Sequence, residues 1–156
     1  GDRRLHVSRE ILSIHSPIFE TMFFGKFVEN GKEEVELKDV VYEEFLDLLH
    51  LIYLGTMRIS DRMVPYILKL ADQFQMKRLL DQCTAHLKHS QGFDAMTKLL
   101  LADKYRLAPL REHCLQSFTC GAELTRILKS SPEYDNLSAD TKVSICDRIV
   151  NLASTE

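Results

Sequence analysis

LHVSREILSIHSPIFETMF, residues 5 to 23, switches its hydrophobic period and restarts once, and so decides how the chain begins. Over RRLHVS, residues 3 to 8, Leu5 and Val7 alternate with Arg4 and His6, the period of a half-buried strand. Ser8 then has the short oxygen-bearing side chain of a helix N-cap, and REILSIHS continues with helical spacing. Ser16 and Pro17 restart the chain. A serine can cap orphan N–H groups, and proline loses nothing at the first helical position, so SPIFETMFF reads as a second short helix. The predicted opening is one strand followed by two short helices.

Working outward, Gly25 leads into GKFVENGKEEVEL, residues 25 to 37, where Phe27 and Val28 sit beside Glu29 among glycine and charge. Val35 and Leu37 then alternate with Glu34, Glu36 and Lys38, a second half-exposed strand whose outer glutamates discourage edge pairing. In VYEEFLDLLHLIYLG, residues 41 to 55, Val41, Phe45, Leu48, Leu49 and Ile52 recur at helical spacing opposite a narrow strip of Glu43, Asp47 and His50. Glu43 and Glu44 suit the positive end of the macrodipole, and Gly55 supplies the stop.

From residue 61 the period stays helical and the chain repeats itself. LKLADQFQMKRLLDQCTAHL, residues 68 to 87, aligns with LLLADKYRLAPLREHCLQSF, residues 99 to 118, so helix, tight turn and helix are used twice. Asp72 and Asp103 hold the same place in each copy, next to the turn, which favours solvated or turn-stabilising groups over a catalytic carboxylate pair. KHSQG, residues 88 to 92, is the candidate internal boundary. Beyond it come GAELTRILKS, a start capped by Ser131 and Pro132, and a last amphipathic helix from Ser138 with Val143, Ile145, Cys146, Ile149, Val150 and Leu152.

Several function classes are disfavoured. Twenty basic against 23 acidic side chains leave a formal charge of -3, which supplies no global attraction to nucleic acid or an anionic membrane. Apolar runs such as LLHLIYL, residues 48 to 54, fall short of the roughly 20 residues needed to span a bilayer. No basic segment followed by an apolar one opens the chain and no Met starts it, so Gly1 is expected to lie inside a longer parent.

Cys83, Cys114, Cys120 and Cys146 form no CxxC pair and read as reduced, intracellular thiols, cytoplasmic or nuclear. A zinc site from Cys83 and His86 with His113 and Cys114 is disfavoured, because neighbours on a helix point about 100° apart. No metal or cofactor is expected. GxGxxG, GKS or GKT, HExxH and GxSxG are absent, and the six histidines are scattered with no nucleophile beside a base, so an enzyme is not expected.

The order of these elements resembles the BTB/POZ domain, an α+β, mostly helical fold with a small sheet flanked by helices. The likeness rests on His6, Arg9, Ile11, Leu12, Ser16, Pro17, Phe19, Met22 and Phe23. It rests also on Phe45 preceding Tyr53 and Gly55, and on ADQFQM, an Ala-Asp-x-aromatic helix end. It covers residues 1–90, and residues 91–156 resemble, more weakly, the helical extension called the three-box, or the start of a BACK domain. The whole is closest to proteins of the MATH-BTB type. Such BTB domains carry a further helix and strand ahead of the His-bearing strand, contributing to homodimerisation. The chain begins at GDRRLHV, without that segment, so the resemblance implies a dimer for the longer parent and leaves dimerisation of these residues open.

Members that recruit cullin-3 carry an apolar residue, any residue and Glu in the loop that here reads Phe27, Val28, Glu29. The resemblance implies that Phe27 fills an apolar pocket on the cullin-3 N-terminal domain and Glu29 fixes register, with Tyr53 a further contact and Val28 undecided. It thereby implies a non-catalytic adaptor that presents protein substrates, held by a domain outside this chain, to a cullin-RING ubiquitin ligase. A BTB module for self-association or corepressor binding in a transcription regulator is the alternative. A helical-repeat scaffold fails, since it needs at least three units and has no place for the strands.

Overall fold

The computed structural model describes residues 3–25, 34–55 and 57–154. They form two compact units, residues 1–83 and 84–156, and the division falls within a helix.

In the first unit, α1 (Arg9–His15) and α2 (Pro17–Phe24) begin as the serines require. The Ser8 hydroxyl accepts the Ile11 N–H at 3.2 Å and the Ser16 hydroxyl accepts the Phe19 N–H at 3.1 Å. Ser16 is 1% exposed and does more than cap. Its hydroxyl donates to the Phe74 carbonyl at 2.5 Å, fastening the α1–α2 corner to the end of α4 (Val64–Gln73). Phe19 stacks on Phe74 at 4.5 Å and on Phe23 at 5.6 Å, and Phe45 meets Phe19 and Phe74 edge-on. This aromatic cluster belongs to the core of the unit, in which Leu12, Leu48, Ile67 and Leu68 are also fully buried.

The small sheet expected from residues 3–8 and 34–38 is not confirmed: no strand occurs among the described residues. The burial alternation is there, with Leu5, Val7, Val35 and Leu37 half-buried and Arg4, His6, Glu34 and Glu36 exposed. Alternation specifies which face is apolar, but a strand also needs a neighbour for its backbone N–H and C=O groups. Side chains tie the two segments instead, Arg4 pairing with Glu34 at 2.7 Å in an exposed contact of little energetic weight.

Helix α3 (Tyr42–Tyr53) buries Phe45, Leu48, Leu49 and Leu51. Its expected apolar face is off by a position at each end: Val41 is the uncapped N-cap residue and 50% exposed, and Ile52 is only half-buried. Gly55 stops the chain at φ +60°, where a Cβ would be strained.

The sequence repeat is a structural one. Helices α4 and α5 (Lys77–His89) turn through Gln75 at φ +51°, and α6 (Ala95–Lys104) and α7 (Ala108–Ser117) through Arg106 at φ +54°. Met76 N–H reaches the Ala71 carbonyl at 2.7 Å, and Leu107 N–H the Ala102 carbonyl at the same distance. These are the wrap-around bonds that satisfy the last carbonyls of a helix ending in a left-handed residue.

In the second unit, α8 (Gly121–Ser130) and α9 (Ala139–Ala153) pack through Leu124, Leu128, Ile145 and Leu152. Arg148 of α9 closes the end of α7, its guanidinium donating to the carbonyls of Leu115 at 3.1 Å and Phe118 at 2.7 Å. Two expectations change here. Ser131 and Pro132 open a five-residue 3-10 turn, Pro132–Asn136, and the Ser131 hydroxyl donates back to the Ile127 carbonyl rather than capping forward. Val143, Cys146 and Val150 lie exposed on the outer face of α9, while Thr141, Ile145 and Leu152 face inward.

Candidate protein-interaction site

Phe27, Val28 and Glu29 lie outside the described residues, as does the rest of 26–33. The described flank of that segment is α2, which ends with Phe24 55% exposed. At Gly25 a Cβ would lie 2.2 Å from the Thr21 carbonyl oxygen, so the chain leaves the helix through a residue that must stay small.

Tyr53 is described. It ends α3, 41% exposed, beside Leu54 at 60%, and its hydroxyl accepts the Ser8 N–H at 2.9 Å. Ser8 is itself held, its hydroxyl donating to Glu10 at 2.8 Å while capping α1. Further along, Arg3 pairs with Glu43 and stacks over the Tyr42 ring at 4.8 Å. The N-terminal segment is thus strapped along α3 at both ends, and the strap fixes the orientation of Tyr53. Ser8 was legible as a cap; its hold on Tyr53, 45 residues away, had no periodic signal.

Two concavities lie on the first unit. An open groove of about 610 Å³ is lined by Glu43, Glu44, Asp47, Arg62 and Tyr66. In it the Tyr66 hydroxyl donates to Asp47 at 2.6 Å, and burial together with that carboxylate pushes the phenol up to about 12. The other is a notch of about 10 Å³ between His15, Leu51, Met76, Arg78 and Gln82. Burial first, and the Arg78 charge second, hold the His15 imidazole below its ordinary value.

The remaining candidates resolve into structural roles. Among the described residues no three His, Cys, Asp or Glu side chains gather as a metal site. His113 hydrogen-bonds the Lys88 carbonyl at 3.2 Å through Nε2. Burial pushes the Cys83 thiol up to about 12 and Cys114 in the same direction, which leaves neither a thiolate. Asp103 is a clamp: it accepts the Ser138 N–H at 2.9 Å, the Ser138 hydroxyl, and the hydroxyl of fully buried Thr141 at 2.5 Å. Burial opposes its charge, but these donors and nearby Arg111 outweigh it and hold the carboxyl below its ordinary value. A turn-stabilising role therefore understates Asp103, which organises the start of α9.

What this geometry offers is exposed aromatic and aliphatic side chains, Phe24, Tyr53 and Leu54, on held backbone. The sequence profile of the BTB/POZ domain family matches residues 1–91. The chain belongs to the BTB/POZ family. Relatives agree. BTB and MATH domain-containing protein 38 of Caenorhabditis elegans is 36% identical over 152 residues, 97% of this chain and 39% of that protein. BTB and MATH domain-containing protein 36 of the same organism is 31% identical over 150 residues, 96% of this chain and 47% of the relative. Kelch repeat and BTB domain-containing protein 1 of camelpox virus is 31% identical over 106 residues, 67% of this chain and 19% of its own. The chain thus spans less than half the length of these relatives. BTB domains are in general non-catalytic interaction modules, and no enzymatic family is indicated. No helix among the described residues is long and apolar enough to cross a membrane.

Proposed function

We propose that this BTB chain is the cullin-3-binding module of a substrate adaptor for a cullin-RING ubiquitin ligase, with substrate held by a domain elsewhere in a longer protein. The observation that carries the reading is Phe27-Val28-Glu29 in the segment following α2 of a BTB domain. Phe27 is the apolar anchor, Glu29 the polar register contact, Val28 a flanking residue, and Tyr53 a second aromatic contact presented by the Ser8 strap. Residues 91–156 serve as the three-box extension. Support for a substrate domain in the parent comes from relatives that are named for a MATH domain as well as a BTB domain. Dimerisation of that parent would make the adaptor bivalent and raise the effective concentration of ligase at substrate.

The test is calorimetric titration of the chain with the cullin-3 N-terminal domain. Phe27→Ala and Glu29→Ala are expected to weaken binding without altering helicity or melting temperature, the aromatic truncation by about 2 kcal/mol. Undiminished binding by both variants refutes the site. A folded wild type that does not bind cullin-3 but self-associates refutes the adaptor reading and favours the self-association module.

A further inference from the structure

The small notch on the first unit is lined by a set of side chains that the fold does not use. His15 stands at the end of α1, and Arg78 and Gln82 are one turn apart on the same face of α5. Among the described residues Arg78 makes no ion pair and neither it nor Gln82 makes a side-chain hydrogen bond, and the Arg78 charge faces His15 unopposed. Arg78 also sits in the first turn of α5, which has Lys77 and no acidic residue, where the macrodipole disfavours a cation. Helix stability therefore does not explain it. Beneath these groups lie the buried side chains of Leu51, Met76 and Leu79.

We propose that the notch beside His15 binds the carboxylate side chain of an acidic, apolar-flanked segment of a partner protein. Guanidinium, imidazole N–H and carboxamide are all donors, and a carboxylate accepts from all three. The space, about 10 Å³, is roughly that of one water-sized group, too small for a cofactor or metabolite but sufficient for one carboxylate oxygen of an Asp or Glu side chain entering from a chain above. Apolar residues beside that acid would lie against Ile52 and the edges of Leu51 and Leu79. The site makes no use of Phe27 to Glu29 and stands whether or not cullin-3 binds.

The experiment titrates the chain with the capped peptides Ac-SLEELS-NH2 and Ac-SLQQLS-NH2 and with inorganic phosphate, followed in 1H–15N spectra. The glutamate peptide is expected to shift the His15, Arg78 and Gln82 signals saturably and to bind about tenfold more tightly than the glutamine peptide, the weight of one charge-assisted hydrogen bond. Arg78→Glu, an exposed substitution that the macrodipole favours, should weaken it by at least about tenfold with the melting temperature not lowered, and His15→Gln more mildly. No binding by the glutamate peptide, equal binding of the two peptides, or an unaffected Arg78→Glu variant overturns the proposal. Phosphate binding more tightly than the glutamate peptide overturns it in favour of a phosphorylated ligand.

Discussion

Ser16→Ala separates what a helix cap contributes from what a long-range hydrogen bond contributes. Two serines cap adjacent helices through the same acceptor geometry, Ser8 to the Ile11 N–H and Ser16 to the Phe19 N–H. Only Ser16 also donates, to the Phe74 carbonyl at 2.5 Å, within a site that is 1% exposed. Loss of an N-cap alone costs about 1 kcal/mol. Ser16→Ala adds a buried carbonyl stripped of its donor, a further 1–3 kcal/mol or so. The sum is about 2–4 kcal/mol, against about 1 kcal/mol for Ser8→Ala, whose other partners are at the surface. Urea unfolding of both variants measures the difference directly. In a chain of this length each kcal/mol lowers the melting temperature by roughly 2–4 °C, so thermal scans give a second reading. If Ser16→Ala and Ser8→Ala cost the same within about 0.5 kcal/mol, the Ser16–Phe74 bond carries no net stability and the reasoning fails.

Three further outcomes are expected. Asp103→Ala removes three accepted hydrogen bonds, two at the surface and one from buried Thr141, and should destabilise the chain by about 2 kcal/mol in urea. Because folding lowers the Asp103 pKa, its stabilisation is present above the ordinary carboxylate range and is lost as pH falls through the folded value. The acid limb of the wild-type stability profile should accordingly be steeper than that of the variant. In spectrophotometric titration Tyr66 should ionise near 12, and Tyr66→Phe should delete that phase. A disulfide reagent at neutral pH should modify exposed Cys146 first and reach Cys83 and Cys114 only on unfolding; rapid labelling of Cys83 in the folded chain would contradict its burial.

Helices were legible where the sequence carried both period and punctuation. Ser8, Ser16-Pro17 and Ser138 mark starts that the structure keeps, because a cap is a local interaction between residues two or three apart. Strands were not, because the alternation at Leu5 and Val7 reports one apolar face and says nothing about a hydrogen-bonding neighbour. Long-range polar contacts were also illegible. Asp103 and Ser138 are 35 residues apart, and Arg148 reaches carbonyls about 30 residues back, with no spacing rule to announce either. Of the candidate site, Phe27 to Glu29 are recognisable only by likeness to family members, since three residues carry no fold of their own. Tyr53 is the one member whose surroundings the structure supplies.

Gln75 and Arg106 project into solvent, and exposure ordinarily goes with freedom to drift. Their backbones, at φ +51° and +54°, impose the opposite. In a saturation library these two surface positions should behave like core ones, accepting Gly, Asn or Asp and rejecting Val, Ile and Thr, which crowd a left-handed backbone. A scan that ranks tolerance by burial alone would therefore misplace the same position in each of the two repeats.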